Sequence, residues 1–205
     1  MAHYRAIAAT SATLRALIQE RYPRDEFGNT SALTIDDFRF ADHDDPRSDE
    51  GFSLLLWRVT INKELRARAP RTDLLGNTFK PSLPLDLHYL VIPFANSIER
   101  QQRMLGWVMR MFADVGHISP AQLNAYLAED DIFPVTEDVE LVADPLPLAD
   151  HLTLWERLKR YPAYASYQLR MVLLDSDVSI TENPPVVERE FEYGAITPPG
   201  GSSAA

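Results

Sequence analysis

Two stretches of the chain each join an apolar strand to a one-sided helix, and they constrain the fold more than any other feature. Residues 83–112 run from a strand into a helix, and residues 144–175 run from a helix back into a strand. Apolar strands must be covered by other elements, so each junction predicts a helix packed on a sheet. Neither junction carries a nucleophile, a metal-ligand cluster or a phosphate-binding loop, which indicates assembly rather than catalysis.

The composition excludes several classes of protein. With 205 residues, of which 45% are hydrophobic, the chain is long enough to bury one core. A formal net charge of −10 disfavours a general nucleic-acid binder, because such proteins need a basic surface to displace counterions. The chain has no cysteine, so disulfides, thiolate metal sites and cysteine nucleophiles are excluded.

No targeting or membrane segment is expected. Residues 1–13 lack the apolar run of a signal peptide. No apolar run approaches the roughly 20 residues that span a bilayer. We therefore expect a soluble protein that is made in the cytoplasm and has no membrane partner.

The spacing of apolar residues predicts an α/β (α+β) fold: a single domain with a central mixed sheet flanked by about four helices. An opening helix ends before Pro23 and should lie on the sheet. The segments at 52–62 and 83–92 are apolar on both faces, so we predict that they are neighbouring inner strands. Further strands are predicted at 33–40, 139–143 and 167–174, and further helices at 96–116, 119–128 and 148–161.

The helix after the second inner strand has the clearest signals. Asn96 is its predicted N-cap, with Glu99 three residues later. Its buried side is predicted to comprise Ile98, Leu105, Val108 and Phe112. For the helix at 148–161, the buried row is predicted to comprise Leu148, Leu152 and Trp155, with Leu154 and Leu158 beside it.

The end of the chain differs in composition from the rest. In residues 186–193, Val187, Phe191 and Tyr193 alternate with glutamates, so this segment is predicted to add as a strand to a sheet edge, in its own domain or in a neighbour. Residues 194–205 are rich in Pro, Gly, Ser and Ala and are predicted to be a flexible tail. We therefore place the domain at 1–193 and the tail at 194–205.

One local charge contrast suggests a contact surface. Four basic residues follow the first inner strand: Lys63, Arg66, Arg68 and Arg71. Only one acidic residue, Glu64, lies among them. A solvated charged loop is one interpretation. The functional interpretation is an exposed loop that docks on an acidic protein surface, and we expect high salt to weaken that contact.

Candidate chemistry is weak throughout the sequence. Asp42, His43, Asp44 and Asp45 form the densest set of hard metal ligands, but they lack the spacing of a calcium loop and are interpreted as a solvated turn. A small metal-dependent hydrolase built on them stays an alternative. The five histidines show no i, i+4 pair that would place two imidazoles on one helical face: His3, His43, His88, His117 and His151.

A family resemblance emerges from two ordered sets of residues. The first is the run from Leu87 to Ala95 with the helix that contains Leu105–Gly106 and Val108–Met109. The second comprises residues 139–146, Trp155, Leu158, Tyr161–Pro162 and residues 167–175. Together with the opening helix, this order resembles the cap, or tail-terminator, family of extracellular contractile injection systems over residues 4–193.

The resemblance implies a structural particle component that is not an enzyme and needs no cofactor. Such a protein forms a homohexameric ring, closes the end of the inner tube distant from the baseplate, and contacts the last sheath ring. Lys63, Arg66, Arg68 and Arg71 would then face tube or sheath. The particle is assembled in the cytoplasm and can be released outside the cell. A related phage tail completion or connector protein is the alternative that shares this fold.

Overall fold

A computed structural model shows the fold. It describes residues 4–23, 34–37, 50–64, 68–73, 75–126, 132–134, 137–157 and 163–180. The aspartates of the 42–45 loop, Arg66, Leu158, and the C-terminal Val187, Phe191, Tyr193 and 194–205 lie outside these residues. The domain boundary at residue 193 therefore stays a prediction.

Four helices and eight strands make up the described part of the chain. In chain order they are α1 (Ala6–Arg21), β1 (Thr34–Asp37), β2 (Gly51–Ile61), β3 (Arg71–Thr72), β4 (Thr78–Phe79), β5 (Leu83–Phe94), α2 (Ile98–Val115), β6 (His117–Ile118), α3 (Pro120–Asn124), β7 (Val139–Ala143), α4 (Leu148–Arg157) and β8 (Ala165–Leu174).

The central sheet has the order β1-β2-β5-β8-β7-β6. Along the run β2-β5-β8-β7-β6, each strand is antiparallel to the next, whereas β1 pairs with β2 in parallel. The predicted mixed sheet is thus confirmed. The two predicted inner strands are indeed neighbours, with Leu54 opposite Val91 and Ile61 opposite Leu85. Strands β3 and β4 form a separate two-stranded ribbon.

The two faces of β5 belong to different cores. Leu85, Leu87, Tyr89 and Val91 join the main core, which also holds the buried sides of α1 and α2. Leu90 and Ile92 alternate with them and point to the other face of the sheet, as the period of a strand requires. There they pack with residues of β2 and with α4, through Leu55, Trp57 and Leu154.

Helix α1 lies on the sheet, as predicted. Leu14, Leu17 and Ile18 are buried in the main core. The helix also carries two hydroxyls toward the sheet, where Thr10 Oγ1 lies 3.3 Å and Ser11 Oγ lies 2.8 Å from the Tyr89 hydroxyl. These contacts satisfy a phenol that is otherwise buried, which fixes the helix across β5.

Helix α2 shows two differences from the prediction. Its N-cap is Ser97, whose side chain accepts a hydrogen bond from Arg100 N, rather than Asn96. The prediction that Ile98 is buried was wrong, since 73% of this first helical residue is exposed. The buried side comprises Met104, Val108, Met111 and Phe112, with Leu105 partly buried beside them.

Helices α3 and α4 differ in how well the sequence predicts them. Helix α3 begins where the sequence predicts a helix, and Ser119 and Gln122 form a reciprocal capping box at its start. In α4 the predicted row was wrong for Leu148 and Leu152, which are 73% and 51% exposed. Leu154 provides the packing contact instead. The side chain of Trp155 lies outside the described residues.

Candidate assembly surface

A long connection joins the end of β2 to the start of β5 at one end of the sheet. We call its described residues, 62–64, 68–73 and 75–82, the arm. The arm contains the ribbon β3–β4 and three of the four predicted contact cations: Lys63, Arg68 and Arg71. Its geometry decides whether those cations can meet a partner.

A buried carboxylate holds the base of the arm. Asp86 is 7% exposed, and its Oδ1 accepts from Asn62 Nδ2 at 3.2 Å and from Met171 N at 3.4 Å. Met171 has a φ of 70° at an irregularity in the β5–β8 ladder, so its N–H is turned out of the regular pairing. Asn62 Oδ1 in turn accepts from Glu64 N at 3.0 Å. The Asp86 side chain thus connects the start of the arm to β5 and β8.

A tight turn forms the tip of the arm. Asp73 Oδ1 accepts from Leu75 N at 2.9 Å and from Asn77 N at 2.8 Å. The side-chain hydrogen bond from Asn77 is the main reason that the pKa of Asp73 is lowered. Gly76 has a φ of 86°, which glycine adopts without strain. The turn presents Leu75, which is 88% exposed, at the end of the arm.

The segment that follows β8, residues 178–180, pairs with β4 through one β-bridge, and we call it the third strand of the ribbon. Phe79 pairs with Ser179, and the flanking bonds are Lys80 N to Val178 O at 3.0 Å and Ile180 N to Thr78 O at 2.7 Å. The arm is therefore attached to the body at its base and again along its length. Ile180, the last residue that the structure describes, lies in this third strand.

Arg71 has contacts within the chain. Its Nε lies 3.8 Å from Asp175 Oδ2, and its guanidinium lies 4.8 Å from the centre of the Phe79 ring. Ser82 Oγ donates to the same carboxylate at 2.5 Å. Arg71 therefore fastens the ribbon to the end of β8, whereas Lys63 and Arg68 are exposed. That the cations contact tube or sheath stays a prediction.

Glu137 lies against the arm with a perturbed carboxyl group. Burial, with a smaller contribution from the Asp175 carboxylate, raises the pKa of Glu137 from its ordinary value of 4.5 to about 6, while Arg68 opposes the shift. Glu137 Oε2 is buried without a hydrogen-bond partner among the described residues. Near neutral pH the folded protein therefore holds a charge that is poorly solvated.

The Glu137→Gln variant is expected to be more stable than the wild type by about 1 kcal/mol near pH 7.5. The pKa of Glu137 is higher in the folded state than in the unfolded state. The native state therefore binds more protons between pH 4.5 and about 6, and the free energy of unfolding of the wild type falls as pH rises through this range. Below the lower value the difference should vanish. Urea unfolding across this range measures it.

Glu140→Gln is the matched control for that experiment. The Glu140 carboxylate is 43% exposed and lies 3.9 Å from Arg170. Its removal should give no gain near neutral pH, because an exposed carboxylate is solvated by water. A Glu137→Gln gain that is as large in acid as at neutral pH would show that titration is not its cause.

Exposed apolar side chains surround the arm. Val178 and Ile180 on the third strand are 53% and 36% exposed. At the adjoining end of the sheet, Val59, Ile61 and Leu83 are 44%, 48% and 43% exposed. Ile61 lies opposite Leu85, and Val59 lies opposite Leu87. Val59 and Ile61 are therefore on the face of the sheet that α1 covers elsewhere. The arm and this end of the sheet thus both expose apolar side chains, and the arm adds exposed cations.

A second surface lies at the opposite end of the sheet. There, the end of β7 and the start of β8 border an open, mostly apolar groove of about 460 Å³. Its lining includes Met109, Leu146, His151, Tyr164 and Tyr167. The molecule thus has two different candidate contact surfaces, separated by the length of β8.

A buried polar group in the sheet is the closest approach to a catalytic arrangement. His88 is 8% exposed, with Nδ1 3.1 Å from Asp144 Oδ2 and Nε2 3.0 Å from Thr60 Oγ1. The order of carboxylate, imidazole and hydroxyl is that of a nucleophilic triad. However, Thr60 lies inside the β2–β5 pairing, where backbone N–H groups serve the ladder rather than an oxyanion. We interpret the group as a satisfied polar network that fixes β7 against β5.

The described ranges contain no group of three or more His, Asp or Glu side chains that could hold a metal ion. The predicted candidate ligands at 42–45 are not among those residues. Within the same ranges, no helix has the length and apolar character needed to cross a bilayer.

The fold matches solved structures of tube terminators. One is the sheath/tube terminator, in the extended state, of an extracellular contractile injection system called PVC, with 16% identity and a TM-score of 0.57 over 93% of this chain and 65% of that chain. Another is the tube-terminating cap of the anti-feeding prophage, with 14% identity and a TM-score of 0.57 over 94% and 62%. The chain spans less than two thirds of either neighbour.

The fold is therefore that of a contractile-tail tube terminator. Residues 9–188 match the Pvc16 N-terminal domain family, and the chain belongs to that family. No curated protein matches the sequence. The resemblance to cap proteins of contractile injection systems is thus confirmed.

Proposed function

We propose that this protein is a structural cap that closes the distal end of the inner tube of a contractile injection system and contacts its last sheath ring. The observation that carries this proposal is the tube-terminator fold over 93% of the chain. A cap acts by geometry: its ring occupies the surface on which the next tube ring would add. Growth then ends, and tube and sheath stay aligned.

The two contact surfaces support assembly into a ring. In a closed ring, each subunit presents two different surfaces to its two neighbours. The arm surface and the groove lie at opposite ends of the sheet, which suits head-to-tail contacts. We propose a homohexamer, assembled in the cytoplasm, with the tube protein and the sheath protein as its other partners.

The proposal requires no chemistry from the polar groups of the domain. Both ring nitrogens of His88 have polar partners, in Thr60 and Asp144. Shape and surface charge then decide where the ring binds. We propose that the protein is not an enzyme and needs no cofactor.

Deleting the gene for this protein tests the proposal directly. We expect particles with uncapped tubes of irregular length, because nothing then blocks addition at the distal end. Electron microscopy of purified particles measures tube length and the state of the end. Wild-type protein supplied in trans should restore a single length, and particles that are closed and uniform without the protein would contradict the proposal.

A further inference from the structure

We propose that the acidic segment 186–193 of one copy binds the arm of a second copy, so that this contact joins neighbours in the ring. The inference rests on the proposed function, because it gives the arm a partner within the same assembly. The strand predicted for the segment with Val187, Phe191 and Tyr193 then adds to the arm of a second copy.

Opposite charges on the two segments favour this pairing. Residues 62–80 carry five basic and two acidic side chains in a chain whose net charge is −10. Residues 181–193 carry four glutamates and one arginine. The basic side chains are Lys63, Arg66, Arg68, Arg71 and Lys80, and the glutamates are Glu182, Glu188, Glu190 and Glu192.

Three cations of the arm face solvent in a single copy. Lys63, Arg68 and Lys80 are exposed, whereas Arg71 is engaged by Asp175 and Phe79. Exposed cations of this kind attract an acidic segment and orient its approach. The charge on the arm is thus available to a second copy without breaking the contacts that hold the ribbon.

The third strand of the ribbon offers a matching edge. Phe79 and Ser179 are a pair without mutual hydrogen bonds, so the N–H and C=O of Ser179 point away from β4. Val178 and Ile180 beside it are exposed apolar side chains. An incoming strand that alternates apolar and acidic residues can place its apolar side on these residues and its acidic side near the cations.

The sequence between the ribbon and segment 186–193 allows that segment to reach a neighbour. Residues 181–185 include Pro184 and Pro185, which disfavour the helical conformation at 183 and 184. An extended chain rises about 3.3 Å per residue, so residue 186 can lie up to about 20 Å from Ile180. A linker of this length can carry segment 186–193 past its own ribbon to the arm of a second copy.

Charge reversal with rescue between copies tests the contact. The first full-length variant carries Lys63→Glu, Arg68→Glu and Lys80→Glu, and the second carries Glu188→Lys, Glu190→Lys and Glu192→Lys. Each alone should self-associate about tenfold or more weakly than the wild type. An equimolar mixture should associate again, because each copy then meets a neighbour of opposite charge. Sedimentation velocity at low salt measures the mass.

A matched control carries Arg21→Glu, Arg103→Glu and Arg110→Glu, which reverse three exposed arginines on the helices. This variant should self-associate like the wild type. The contact is disproved if the wild type stays monomeric, if neither charge reversal weakens association, or if the mixture is not rescued, since an internal contact cannot be repaired by another copy.

Tube capping by the same variants separates the two proposals. The cap proposal fails if the wild type does not bind tube ends in electron micrographs. If the wild type caps tubes and the variants lose capping but not self-association, the arm contacts the tube and the inference about the ring is wrong. If the variants lose self-association and the mixture regains both properties, the inference is supported.

Discussion

Replacing Phe112 by alanine is expected to lower the free energy of unfolding by about 4 kcal/mol. Phe112 is 1% exposed in the main core, and its ring meets the Tyr167 ring edge to face at 5.0 Å. The substitution removes an aromatic side chain where α2 packs on β8, and a close-packed sheet cannot collapse into the space. Urea unfolding followed by tryptophan fluorescence measures the loss.

Met109→Ala is the matched control on the same helix. Met109 is 46% exposed and borders the groove at the far end of the sheet. Its truncation should cost less than about 1 kcal/mol, because little buried contact is lost. Equal costs for the two variants would mean that α2 does not hold the core as described.

Asp86→Ala is expected to cost about 3 kcal/mol and to loosen the arm. The substitution leaves the Asn62 amide and the Met171 N–H without their shared acceptor. Both groups lie near the sheet end, where an unmet donor pays the desolvation cost. Hydrogen exchange should accelerate at Glu64 and Met171 before the core exchanges, and urea unfolding gives the global cost.

Asp86→Asn separates the hydrogen bonds from the charge. Its side-chain oxygen can still accept from both donors, so most of the stability and of the exchange protection should remain. Asp73→Ala is a further control, because it removes an exposed turn contact at the arm tip and should affect only that turn. If the asparagine variant is as unstable as the alanine variant, the shared acceptor is not what holds the arm.

The sequence predicts the inner sheet well because its signal is local. Leu54 and Leu55 in β2 point to opposite faces, and both faces are apolar, which only an inner strand requires. The same reasoning assigns Leu87 and Leu90 to different cores. Helix ends are harder to predict, since Asn96 and Ser97 are both good N-caps and only the backbone decides between them. Ile98 follows the cap and faces solvent for that reason.

The pairing within the arm and the polar network of the sheet could not be predicted, because the residues in contact are distant in sequence. The strands of the ribbon are only two residues long, and its third strand pairs Phe79 with Ser179 far along the chain. No hydrophobic period exists at that length. His88 likewise contacts Thr60 and Asp144, which are 28 and 56 residues away in the sequence, so no local pattern distinguishes it from the other histidines.

The third strand of the ribbon determines how the domain resists force. Tension on the chain beyond Ile180 reaches residues 178–180 first and then β8, which precedes them in the chain. Antiparallel ladder bonds run perpendicular to the strands, so the β5–β8 ladder is loaded in shear and its bonds share the load. An outward pull on Ile180 should therefore break the two bonds to Thr78 and Lys80 first and load the β5–β8 ladder only afterwards.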